Sequence, residues 1–124
     1  MSRSPRPVFL NPLQIQMPVG AWTSIGHRLT GILLAIAVPV SVYLLDLSLR
    51  SEQGFLHVDA LFDHIAVKAG VVILLWALSH HLLAGIRHLL SDFNVGSPLR
   101  AARRSAWAVN AGALAIALLA AGIL

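Results

Sequence analysis

Hydrophobic and polar positions alternate along this chain in long blocks rather than in the short periods of a soluble domain. The first apolar block, TGILLAIAVPVSVYLLDLSL, extends from Thr30 to Leu49 and is interrupted by Pro39 and Asp46. The second extends from about His64 to Leu90, and the third, rich in alanine and leucine, from Ser105 to Leu124. At a 1.5 Å rise, roughly twenty residues cross a hydrocarbon core of about 30 Å. The pattern therefore predicts an all-α membrane protein with three transmembrane helices, over about 28–49, 64–90 and 105–124, in a single membrane-anchor domain of residues 1–124. A lead-in of about 1–27 carries Pro5, Pro7, Pro12 and Pro18 with Arg3 and Arg6, and it lacks the apolar core of a signal peptide. Arg50 to Asp63, polar and containing Gly54, reads as a loop; Ser91 to Arg104, with Asn94, Gly96 and Pro98, reads as the second connection.

Composition agrees with the blocks and narrows the chemistry. Of the 124 residues, 57% are hydrophobic and 11% charged, which places the chain in the membrane class. The absence of cysteine excludes disulfides, a self-held iron–sulfur cluster and covalent haem attachment, so any metal centre must lean on histidine. The formal charge of +4 is scattered over segment ends, a distribution that fits topology better than nucleic-acid binding. Arg3, Arg6 and Arg28 precede or open the first span, and Arg100, Arg103 and Arg104 lie in the second connection. The first connection holds Arg50 against Glu52, Asp59 and Asp63. The positive-inside rule then places the amino terminus and the second connection on the cytoplasmic side.

Candidate chemistry concentrates in SHHLLAGIRHLL, Ser79 to Leu90, where His80, His81, Arg87 and His88 stand in an otherwise apolar segment. His81 lies seven residues, roughly 10 Å, deeper than His88, and His81, Gly85, His88 and Asp92 share one helical face. Gly85 would let a flat macrocycle approach the backbone one turn from His81. A neutral imidazole is a common axial ligand of haem, and a non-covalent b-type haem suits a chain without cysteine. Helix physics alone leaves two alternatives open, ligation and interhelical packing through hydrogen bonds. At the mouth of the first span, Ser24, His27, Arg28 and Gly31 also share a face. That face serves either as an interfacial anchor for lipid phosphate or as a donor set for a buried polar headgroup or haem carboxylates.

The two stretches together, S-x-x-H-R-x-[TS]-G from Ser24 to Gly31 and H-x-x-x-G-x-R-H-x-x-x-D from His81 to Asp92, resemble the cytochrome b subunit of succinate dehydrogenase, the larger membrane anchor of respiratory Complex II. The resemblance covers nearly the whole chain, including Arg6–Pro7 and the basic second connection. It implies that His81 is an axial ligand of haem b, with the second ligand supplied by another anchor subunit, so that the bundle is completed by a partner. It further implies that Ser24 and Arg28 bind ubiquinone, and that His27, Arg28 and His88 approach the haem propionates. Arg87 and Asp92 match the motif as supporting charges near the quinone or the iron–sulfur subunit. The implied partners are the second small anchor, the iron–sulfur subunit and the flavoprotein, all at the bacterial inner membrane and serving electron transport in the tricarboxylic acid cycle. Two positions depart from the expected pattern: His80 precedes the ligand, and Gly26 is smaller than expected, which predicts looser packing there. A haem-free structural anchor or assembly subunit, and a transporter subunit with a proton path through Asp46, Lys68 and His81, are the alternatives.

Overall fold

A computed structural model describes residues 16–124, and in it the chain forms four helices: α1 (Val19–Arg50), α2 (Glu52–Phe62), α3 (Ile65–Asp92) and α4 (Leu99–Ile123). Arg3 and Arg6, with the Arg6–Pro7 pair of the lead-in, lie outside the described residues. α1, α3 and α4 are long and apolar enough to cross a membrane. At 32, 28 and 25 residues they span roughly 48, 42 and 37 Å, so each exceeds the hydrocarbon core.

The helix ends follow local chemistry. Pro18, extended at φ −67° and ψ 155°, precedes α1, where a missing N–H costs nothing. α1 therefore begins at Val19, which brings Ser24, His27 and Arg28 inside the helix instead of at its mouth. It continues through Pro39 to Arg50. The α3–α4 turn is closed by Asn94 at φ 59° and Gly96 at φ 77°, with the Val95 N–H donating to the Leu90 carbonyl at 2.9 Å. α4 then starts at Leu99 behind Pro98, earlier than the apolar run alone predicts.

The first connection is a helix, which corrects the expectation of a loop. Extended Ser51 ends α1 and caps α2, its Oγ accepting the Gly54 N–H at 3.0 Å, and Glu52 occupies the first turn where the helix dipole favours an acid. Gly54 is needed for close approach, because a Cβ there would collide with the Leu47 carbonyl of α1. A glycine that marks a loop in sequence thus marks the point where α2 folds back against α1.

α3 is the central helix, packed against α4 on one side and α1 on the other. Small residues dominate the buried positions of the two helices, Ala77 and Ala84 on α3 and Ala106, Val109, Ala113 and Ala117 on α4. Small side chains let backbones approach closely where lipid provides no hydrophobic drive between helices. The large apolar side chains, among them Leu29, Ile36, Leu82 and Leu118, are exposed on the outside of the bundle. That inside-out arrangement is what a bilayer solvent selects.

Candidate functional site

Where α1 crosses α3, three imidazoles gather. The rings of His27 and His81 stack with centroids 4.1 Å apart and planes 11° from parallel, and His88 approaches His27 at 5.3 Å and 59°. The His81 Nδ1–H donates to the His27 carbonyl oxygen at 3.1 Å, and Thr30 Oγ1 lies 3.4 Å from the same nitrogen. Thr30 is fully buried, its hydroxyl 2.9 and 3.0 Å from the carbonyls of Gly26 and His27. Tying Nδ1 to a carbonyl fixes the tautomer and leaves the lone pair on Nε2. Nε2 has no bonding partner among the described residues.

Glycines make room for this geometry. A Cβ on Gly31 would stand 3.0 Å from His81 Cε1, and one on Gly85 would stand 3.5 Å from His27 Nε2. Among the described residues no three His, Asp or Glu side chains converge on a bare ion. An uncommitted imidazole Nε2 could ligate a metal already held in a macrocycle, and the neighbouring imidazoles could donate to carboxylates.

On α1, Ser24 lies about one turn before His27 and Arg28 about one turn before Gly31, with Ser24 half-buried and Arg28 exposed. No ion pair joins Arg28 to a described carboxylate; the pair found is Arg50 with Asp46, at the far end of α1. That pair, and the bond from Lys68 Nζ to the Leu124 carbonyl at 2.9 Å, hold two members of the supposed proton path at the opposite end from His81. Arg87 turns away from the histidines: its Nε donates to Ser105 Oγ at 3.0 Å and its Nη2 to the Ala102 carbonyl at 3.4 Å.

His80 faces the other way from His81. Only 3% exposed, it donates from Nε2 to Asn110 Oδ1 of α4 at 3.1 Å. Thr23 Oγ1 lies 3.3 Å from the same oxygen and 3.0 Å from the Val19 carbonyl, sharing its single proton between them. For His80 the outcome is interhelical packing through a hydrogen bond, one of the two alternatives open from sequence, whereas its partners Asn110 and Thr23 carry no signal of the knot in the sequence. The structure also corrects the reading of Gly26. A Cβ there would lie 2.8 Å from His80 Cε1, so the glycine makes tight packing possible rather than loosening it. The two departures are halves of one contact, a large ring opposite a missing side chain.

Three spanning helices around a half-buried imidazole cluster define a small multi-pass membrane subunit. Residues 2–120 match the succinate dehydrogenase/fumarate reductase transmembrane subunit family, and the chain belongs to that family. It is similar to the succinate dehydrogenase cytochrome b556 subunit of Coxiella burnetii, 38% identical over 105 residues and 84% of each chain. The Paracoccus denitrificans subunit of the same name is 32% identical over 122 residues, covering 96% of this chain and 92% of the relative. That of Rickettsia conorii is 30% identical over 101 residues, covering 82% and 78%. The chain is thus a membrane-anchor subunit of succinate dehydrogenase, an oxidoreductase complex of the bacterial inner membrane.

Proposed function

We propose that this subunit holds a b-type haem through His81 and helps form the site where succinate-derived electrons reduce ubiquinone. The observation that carries this reading is the bond from His81 Nδ1 to the His27 carbonyl, which presents Nε2 as a fixed, neutral donor. His80 does not compete, because its Nε2 is committed to Asn110 inside the chain. The haem, shared with a second small anchor subunit, supplies a one-electron store. His27, His88 and Arg28 offer N–H donors to its propionates.

The quinone would be held by Ser24 and Arg28. The Ser24 hydroxyl donates to one carbonyl oxygen of the ring, and the Arg28 guanidinium stabilises the negative charge that grows on oxygen as electrons arrive. At low dielectric a fixed cation and a fixed donor act far more strongly than in water. Two electrons and two protons convert the quinone to the quinol. The electrons come from an iron–sulfur subunit, itself supplied by the flavoprotein, docked on the basic end of the bundle, which faces the cytoplasm together with the amino terminus.

Reduced-minus-oxidised spectra of the purified complex test the assignment. His81→Ala is expected to abolish the b-type signal, whereas Arg28→Ala keeps that signal and lowers quinone reduction roughly a hundredfold, as loss of one charge-stabilising donor does elsewhere. An intact spectrum in the first variant removes His81 as ligand. A colourless wild-type complex favours the haem-free anchor instead.

A further inference from the structure

The half-buried Arg87 guanidinium has no acidic partner within this chain. The chain has five acidic residues: Asp46, Glu52, Asp59 and Asp63 belong to the other end of the bundle, and no ion pair joins Arg87 to Asp92. Residues 1–15 contain no acid that could fill the role. Any anion that meets Arg87 therefore comes from outside the polypeptide.

The surroundings of Arg87 indicate its chemistry. Between α3 and the start of α4 lies a groove of about 210 Å³ that holds Arg87 and Ser105, with Leu83 and Ile86 deeper along α3 than Arg87 and Leu90 and Ser91 about one turn nearer the helix end. At about 100° per residue, the three aliphatic positions stand across α3 from His81 and His88, so this groove is separate from the histidine site. Arg100, Arg103 and Arg104 lie within the first two turns of α4, whose N-terminus has no side-chain cap and no acid in its first turn. Positive charge at the headgroup level and aliphatic side chains below it are the two halves of a phospholipid's complement.

We propose that this groove binds an anionic phospholipid, its phosphate on Arg87 and an acyl chain along Leu83 and Ile86. A membrane lipid fits better than a soluble anion because the aliphatic wall is continuous with the polar end. Ser105 positions the guanidinium through Nε and leaves its Nη1 edge to the phosphate.

Native mass spectrometry of the whole purified complex, supplied with phosphatidylglycerol or phosphatidylcholine, reads the site directly. Phosphatidylglycerol is expected to remain bound in preference, unaffected by millimolar inorganic phosphate, with retention about five- to tenfold weaker in Arg87→Gln and restored in Arg87→Lys. Equal retention of the two lipids, displacement by inorganic phosphate, or unchanged retention in Arg87→Gln overturns the proposal. Should the glutamine variant fail to assemble, photoactivatable phosphatidylglycerol added to the unmodified complex is expected to label residues 83–105 above the rest of the chain. Labelling that spares this stretch, because a neighbouring subunit covers it, also overturns the proposal.

Discussion

His80 and His81 are neighbours in sequence with opposite surroundings. One turns into a closed knot with Asn110 and Thr23; the other turns toward α1 with its Nε2 lone pair uncommitted. Periodicity placed both on α3 but could not tell which neighbour each would meet, because that depends on how α1 and α4 pack. The His81–Gly85–His88 face and the S-x-x-H-R motif were legible because residues four and seven apart share a helical face whatever surrounds them. The contacts of Thr30 and Gly31 with His81, and the role of Asn110, were not, since they exist only across helix contacts. The Gly26–His80 contact yields a double-variant prediction. Gly26→Ala should destabilise the complex by about 1–3 kcal/mol through overpacking, and His80→Ala in the same chain should relieve most of that cost. Thermal denaturation followed at the haem absorbance, or by circular dichroism, measures both. Asn110→Leu leaves the His80 ring, whose Nδ1 is already buried without a partner, bare at both nitrogens. It should cost about 1–3 kcal/mol in the same assay.

At the scale of elements, the three apolar runs announced α1, α3 and α4, while α2 was hidden. An 11-residue segment with polar and apolar residues mixed has no hydrophobic block to betray it, and its helix depends on the Ser51 cap and on contact with α1. Ser51→Ala should therefore weaken α2 by about 1 kcal/mol, seen as faster amide exchange over residues 52–62 with little change in α3. Gly54→Ala should act more severely in the same measurement, since the added methyl group meets the Leu47 backbone and no side-chain rotation can avoid it.

The described residues form a three-span bundle with Arg28, Arg87, Arg100, Arg103 and Arg104 toward one end, and with Arg50, Lys68 and every acid but Asp92 toward the other. That asymmetry predicts orientation, and the absence of native cysteine makes it simple to measure. Asp59→Cys should react with a membrane-impermeant maleimide in intact cells, whereas Ser97→Cys should react only after the inner membrane is opened. The reverse pattern would invert the assignment of the amino terminus. Because the bundle buries so few large side chains, its rigidity should depend on lipid and on neighbouring subunits as much as on its own core.

The fit of the His80 ring against Gly26 also constrains descent. A lineage that acquires glycine first merely opens a gap, whereas one that acquires the imidazole first crowds two helices, so the permissive change is favoured before the bulky one. Once both are present, a side chain returning to position 26 meets the ring, so the forward route is easier than the way back.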